Sequence, residues 1–354
     1  MSSATLTDPS VTITWTHALS TSDGEHLVVS SGPEQSVVEA AEAAGLLLPS
    51  SCRAGSCGAC HARAEGAYEM RNHSETVLDD EAAANGEVLL CCTYAKGAMN
   101  ITLPYESNRI ISGKIPTRQA TVTAVDVVAA DTVRLELQLG PDERGALGCE
   151  FDPGQFLELV IPGTATRRSY SLANNPNWGG TAELFIKLRE GGVFSEWLRD
   201  VQPGQQLEVR GAQGAFGVRD SGLRPRWFFA GGTGLSPLLS MLRRMADWEE
   251  PHAARLFFGV ETEEEIFGVD VLHELAAKLP DFRYEVVLGK SAQGWDGKVG
   301  TPLDTLAADL AEAPEAPDIY VCGPPGMVAA ARKIAKVAGL PEERVIIENF
   351  APSA

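Results

Sequence analysis

The spacing of hydrophobic and polar positions changes character twice along the chain. Up to about residue 105, short alternating runs prevail: "VTITWTH" at 11–17 and residues 26–30 predict strands. Between them and the next motif, "SVVEAAEAAG" predicts a short helix, with Ser36 and Glu39 spaced as a capping box and Gly45 as its stop. "EVLLCCTY" and "MNITLP" predict strands that close this region. From 116 to 222 the runs "QATVTAVDVV", "TVRLELQL", "QFLELVIPG" and "AELFIKL" are separated by Gly and Pro, which predicts a small antiparallel barrel with one helix near 194–199. Beyond 222, the near-continuous apolar runs "RWFFA", "RLFFGV", "YEVVL", "DIYVC" and "RVIIE" alternate with helical patterns. Leu235, Leu238, Leu239 and Leu242 give one such helix its apolar stripe. Strands of this kind with helical crossovers imply a doubly wound parallel sheet. The expected organisation is therefore a multidomain α+β and α/β chain with segments 1–107, 116–222 and 223–354.

Composition narrows the classes. A length of 354 residues suits two or three domains, and 44% hydrophobic with 22% charged residues is a globular composition. No run approaches the length of a membrane span and no signal peptide is visible, so a cytoplasmic protein is expected. The net charge of −19 disfavours a nucleic-acid partner. Residues 1–105 hold 4 Lys and Arg against 13 Asp and Glu, a balance of −9. That acidic segment is either a docking surface for a basic patch on a partner or simply a solvated face.

Chemistry enters first through "SSCRAGSCGACHARAEG". Cys52, Cys57 and Cys60 have the C-x4-C-x2-C spacing of plant-type [2Fe-2S] ligands, which call for a distant fourth cysteine. "LLCCTY" offers Cys91 or Cys92. Gly55, Ser56, Gly58 and Ala59 are small enough for backbone N–H groups to turn toward sulfur. Zinc fits less well, because structural zinc sites come as two close-spaced knuckles. Seven cysteines, an odd count, do not suggest a disulfide framework.

Three weaker motifs follow. In "TRRSYSLAN", Arg168, Tyr170 and Ser171 can pair with a pyrophosphate, cover a flavin ring and bond its N5; alone, they are also an ordinary polar strand. "GGVFSEWL" places Gly192 and Ser195 at a helix start, a natural pyrophosphate seat. "FFAGGTGLSPLL" runs strand, Gly-rich turn, helix, with Gly231, Gly232, Thr233 and Gly234 at the turn. It lacks the G-x-G-x-x-G pattern but offers the same backbone approach to a pyrophosphate. "YVCGPPGM" lies at the carboxyl end of a strand, where open α/β sheets bind ligands; Cys322 is then either a nicotinamide neighbour or a buried strand cysteine. Glu261, at the end of the second strand of that sheet, is placed to accept from an adenosine ribose hydroxyl, and Glu263, Glu264 and Glu265 would repel a 2′-phosphate, favouring NADH.

The order of these motifs, ferredoxin loop, R-x-Y-S, GGTG, C-G-P-P and a terminal "ENF", resembles the ferredoxin–NADP reductase superfamily in its fused [2Fe-2S]–FAD–NADH form along nearly the whole chain. Within it, "SSCRAGSCGAC", "VLLCCTY", "LPYESNRI", "FDPGQF", "IPGTATRRSYSLAN", "FSEWLRD", "RWFFAGGTGLSPLLSML" and "DIYVCGPPGM" are similar to the reductase components of soluble methane, propane and alkene monooxygenases. The resemblance implies a β-grasp-type ferredoxin domain, a barrel that binds FAD and a doubly wound domain that binds NAD. It implies Cys52, Cys57, Cys60 and Cys91 as cluster ligands, with Cys92 a bystander and His61 a surface histidine. It implies Arg168, Ser169, Tyr170, Ser171, Ile186, Lys187, Gly192, Val193 and Ser195 on the flavin side. On the nicotinamide side it implies Gly231, Gly232, Thr233, Gly234, Glu261, Cys322, Gly323, Pro324 and Met327, with Phe350 near the flavin ring. Ser171, Cys322 and Glu348 are the expected catalytic group. Electrons would pass from NADH through FAD and the cluster to the hydroxylase of a multicomponent monooxygenase, docked through the acidic ferredoxin segment. An aromatic-ring dioxygenase or a phenol hydroxylase is the alternative acceptor, and a zinc-bearing docking module the alternative of another class.

Overall fold

The computed structural model describes residues 14–143, 145–220, 222–290 and 293–350. The chain divides into two compact units, residues 1–114 and 115–354.

In the first unit, β1 (Trp15–Ser20) and β2 (His26–Ser31) form a hairpin. The start of the expected strand, at 11–13, lies outside the described residues. Helix α1 (Val37–Ala43) begins where the sequence pattern places it: Ser36 accepts from the Glu39 N–H, and the Glu39 carboxylate accepts from the Ser36 N–H. Gly45, at φ +78°, takes the left-handed turn after it. Then come β3 (Leu46–Leu47), β4 (His61–Met70), α2 (Asp80–Ala84), β5 (Glu87–Leu89), β6 (Thr93–Thr102) and β7 (Ile111–Ser112). The main sheet has the order β2-β1-β6-β4-β5. "EVLLCCTY" is not one strand. It breaks at a 3-10 turn, Leu90–Cys92, which lets both cysteines face inward between β5 and β6.

The second unit opens with a six-stranded antiparallel sheet in the order β11-β10-β13-β8-β9-β12. Its strands are β8 (Thr117–Ala129), β9 (Thr132–Leu139), β10 (Phe156–Val160), β11 (Arg167–Ser171), β12 (Thr181–Lys187) and, after α3 (Val193–Arg199), β13 (Gln206–Gln213). A bridge between Leu172 and Leu184 joins the two edges, so the sheet closes as a barrel. Alternate positions fill it: Leu135, Leu137 and Leu139 of β9 meet Leu159, Leu184, Ile186 and Val209.

The chain continues through β14 (Arg226–Gly231), α4 (Leu235–Asp247), β15 (Ala254–Val260), α5 (Val269–Lys278), β16 (Phe282–Leu288), β17 (Lys298–Val299), α6 (Leu306–Glu312), β18 (Asp318–Gly323), α7 (Pro325–Val337) and β19 (Val345–Asn349). Its six strands pair parallel in the order β17-β16-β15-β14-β18-β19. Both faces are buried, so the middle residues of the central strands are apolar and successive ones enter different cores. Phe228, Phe258 and Tyr320 pack on one side, while Trp227, Phe229 and Phe257 pack on the other. Each such ring contributes roughly 1.5–3 kcal/mol by leaving water. Barrel and parallel sheet are tied together: the Arg243 guanidinium donates to the Ala173 carbonyl (2.7 Å) and to Glu183 (3.1 Å).

Candidate functional site

The cysteine loop spans the turn between β3 and β4. Arg53, Gly55 and Gly58 all adopt positive φ there, which coils the backbone around its own sulfurs. The Ala54 and Ser56 N–H groups donate to Cys52 Sγ at 3.4 and 3.3 Å, Cys52 N–H to Cys57 Sγ at 3.4 Å, and Cys91 N–H to Cys60 Sγ at 3.4 Å. A side chain on Gly55 would lie 2.8 Å from Cys92 Sγ and from His73 Cα, so only glycine fits between loop and wall. The thiols fall into two pairs, Cys52 with Cys57 and Cys60 with Cys91. Hydrogen bonds from the Cys57 thiol, then Ser56 and the loop backbone, bring the Cys52 thiol down to about 5, and those from Cys60, Cys92 and the Gly55 N–H bring Cys91 down to about 3. Among the described residues no three His, Cys, Asp or Glu side chains gather as one metal ion would need. Sulfurs arranged two and two, with N–H groups aimed at them, fit a binuclear [2Fe-2S] cluster. Cys92 differs from Cys91: its thiol donates to the Asn72 carbonyl at 3.4 Å. His61 is half-buried, and its Nε2 shares a hydrogen bond with Glu87 at 2.6 Å.

On the barrel, β11 carries Arg168, Ser169, Tyr170 and Ser171. The Arg168 guanidinium donates to the Arg167 carbonyl (2.9 Å), and Tyr170 packs its ring on Phe194 at 5.0 Å. Gly192 is the cap of α3, with Val193 exposed beside it. The Ser195 hydroxyl accepts from the Arg189 N–H at 2.9 Å, so it closes the turn leading into the helix. Two expected flavin-side residues are engaged elsewhere. Ile186 packs in the barrel core, and Lys187 pairs with Asp131 (2.7 Å) and Glu265 (3.2 Å).

On the parallel sheet, β14 ends at Gly231 and leads through a 3-10 turn, Gly232–Gly234, into α4. The turn lies directly against the end of β18. A Cβ on Gly234 would come 2.2 Å from the Cys322 carbonyl, and one on Gly231 would come 2.7 Å from Pro324 Cδ and 3.0 Å from Met327 Sδ. Gly323 is packed against Gly231 in return. Gly232, at φ +55°, has open space beside it, as a backbone that receives a pyrophosphate requires. Thr233 is half-buried in the same turn. Glu261 pairs with Lys290 at 2.9 Å, both well exposed.

A further contact joins the barrel to the sheet, at the ends of β11 and β19. Ser171 Oγ donates to Glu348 Oε2 at 3.3 Å. Glu348 sits beside Cys322 across β18 and β19, and the Phe350 N–H donates to the Gly323 carbonyl at 2.7 Å. Desolvation raises the Glu348 carboxyl to about 8 against the opposing pull of the serine hydroxyl. Burial and the Glu348 charge push the Cys322 thiol well up, and the residue is fully enclosed. Sequence reasoning named each member of this group but could not show that a serine and a glutamate 177 positions apart would meet. It missed Lys290 and the 71–74 segment that walls Gly55, since neither forms a motif.

Comparison with known proteins agrees with this geometry. Residues 20–96 match the 2Fe-2S iron-sulfur cluster binding domain, 119–217 the oxidoreductase FAD-binding domain, and 228–333 the oxidoreductase NAD-binding domain. The chain is thus an oxidoreductase with [2Fe-2S], FAD and NAD sites on one polypeptide. It belongs to the family of fused ferredoxin-type reductase components, which transfer electrons from NADH by way of FAD and a [2Fe-2S] cluster. Methane monooxygenase component C of Methylosinus trichosporium is 38% identical over 281 residues, 78% of this chain and 82% of that protein. The anthranilate 1,2-dioxygenase electron transfer component of Acinetobacter baylyi is 32% identical over 339 residues, 95% of this chain and 97% of that one. Among solved structures, the cytochrome P450 reductase of Amycolatopsis superposes with a TM-score of 0.70 at 29% identity, covering 96% of this chain and all of that one. A zinc-bearing docking module is set aside by this membership. Among the described residues no helix is long and apolar enough to cross a membrane.

Proposed function

We propose that the protein is the cytoplasmic reductase component of a multicomponent hydrocarbon monooxygenase and delivers electrons to its hydroxylase, docking through the acidic segment of residues 1–105. The likeness to methane monooxygenase component C carries this reading, because it is 38% identical over 281 residues, 78% of this chain. The dioxygenase electron transfer component, at 32% identity, supports an aromatic-ring dioxygenase as the second acceptor.

Cys52, Cys57, Cys60 and Cys91 hold the cluster. The hydrogen bond from Cys92 to the Asn72 carbonyl, and the Gly55 N–H on Cys91, support Cys91 as the fourth ligand. The 231–234 turn seats the dinucleotide pyrophosphate, and Glu261 accepts from the ribose. When bound, FAD converts the two-electron chemistry of nicotinamide into the one-electron chemistry of the cluster. Ser171 and Glu348 fix a hydrogen-bonded proton at the junction of barrel and sheet, Cys322 closes its floor, and the Phe350 ring shields it from water.

Reconstitution with a diiron hydroxylase and with a ring dioxygenase tests the reading. NADH should drive substrate oxidation by the former with the wild-type and Cys92→Ser proteins. Cys91→Ser should still oxidise NADH with a dye but support no hydroxylation. Turnover with the dioxygenase alone would overturn the assignment of acceptor, and an active Cys91→Ser protein would overturn the ligand set.

A further inference from the structure

Past the end of β6 the alternation of buried and exposed residues continues: Ile101 and Leu103 are buried, Thr102 and Pro104 exposed. Tyr105 therefore falls on the core face, and it is 6% exposed. Strands β4 and β6 run antiparallel with Arg63 opposite Thr102 and Ala64 opposite Ile101. Carried three residues further, from 63 down to 60 and from 102 up to 105, this register sets Tyr105 opposite Cys60, which is 3% exposed on the same face. The Tyr105 backbone is held in place by the Ser22 N–H, which donates to its carbonyl at 3.0 Å.

The Tyr105 hydroxyl is buried, yet no group among the described residues accepts its proton. A buried O–H without an acceptor is costly, and each such group calls for an explanation. Sulfur is the acceptor this face supplies: the continued register brings Cys60 opposite Tyr105, and a phenol is a donor at neutral pH. A cluster held at Cys60 adds sulfide lone pairs to that face. Hydrogen bonds to cluster sulfur stabilise the more negative, reduced form.

We propose that Tyr105 donates its hydroxyl proton to the sulfur shell of the bound [2Fe-2S] cluster on the Cys60 side, and thereby sets the cluster's reduction potential. This rests on Cys60 being a cluster ligand. Tyr105 is a positioning and tuning residue, distinct from the four ligands.

The test uses the holoprotein with Tyr105→Phe, and with 3-fluorotyrosine at position 105, whose more acidic phenol is a stronger donor. Tyr105→Phe should hold wild-type iron and sulfide. Its potential should fall so that the ratio of reduced to oxidised cluster at a fixed potential drops about tenfold, which is about 59 mV for a one-electron couple. The fluorinated protein should shift the opposite way. Cluster vibrations of the wild type should shift in D2O, and that shift should be lost in Tyr105→Phe. Wild-type potentials in both variants, or shifts of one sign in both as a packing change would give, would overturn the proposal. Should Tyr105→Phe fail to hold its cluster, the fluorinated protein and the wild-type D2O comparison decide. A wild-type protein without iron would bring down the ligand reading itself, whereas an intact cluster with unmoved potentials brings down only the role of Tyr105.

Discussion

Glu348 is a carboxyl that desolvation keeps protonated through neutral pH, with its pKa at about 8 against the usual 4.5. Between those values the folded chain holds a proton that the unfolded chain has released. Stability therefore falls as pH rises from about 4.5 to 8, and it recovers nothing above that. Flavin reduction by NADH should break near pH 8 in the wild type and decline about tenfold per pH unit above it, if the protonated form is required. Glu348→Gln should remove the break and flatten the stability slope, as read from stopped-flow traces and thermal melts between about pH 5 and 9. At this scale the sequence was informative wherever one residue type has one use. Cys52, Cys57 and Cys60 announce their chemistry by spacing, and Ser36 with Glu39 announces a cap. The pairing of Ser171 with Glu348, of Glu261 with Lys290, and of Lys187 with Asp131 is written in no local pattern, because the partners are set by how the strands pack.

The 3-10 turn Gly232–Gly234 shows how an element can be fixed by what it touches. Gly234 has no room for a methyl group beside the Cys322 carbonyl, while Gly232 has room but a left-handed backbone. Gly234→Ala should destabilise the chain by about 1–3 kcal/mol in urea unfolding, the usual cost of forcing extra volume into a packed site. Gly232→Ala should leave the midpoint nearer to wild type and show its effect mainly as a raised KM for NADH; equal midpoints for both would contradict the packing described. The parallel strands were legible because a strand buried on both faces carries an unbroken apolar run through its middle. Strand β4 was not, since "HARAEGAYEM" is built from small and polar residues that cover the outside of a sheet. The break at Leu90–Cys92 was equally hidden: the apolar run continues while the backbone turns to bring Cys91 toward the loop.

Across the whole molecule, the charge is organised as well as uneven. The 4 basic side chains of residues 1–105 are all in ion pairs, Arg53 with Glu42, Arg63 with Glu87, Arg71 with Glu34 and Lys96 with Glu69. Its positive charge is thus neutralised locally, and the remaining carboxylates among the described residues are exposed. If that field steers docking, raising salt from about 50 to about 300 mM should raise the apparent KM for the hydroxylase about tenfold. NADH reduction of the chain's own flavin, which needs no partner, should stay within about twofold. A hydroxylase KM indifferent to salt would place the docking surface elsewhere.

The hydrogen bond between Ser171 and Glu348 also bears on how such chains are inherited. It joins the fourth strand of the barrel to the last strand of the parallel sheet. A recombination that exchanged only the dinucleotide half would import a strand with no assurance of a carboxyl opposite that serine. The two halves therefore have reason to travel through evolution as one piece. The cysteine-bearing unit, which ends at residue 114, is a compact unit of its own and holds neither member of that pair.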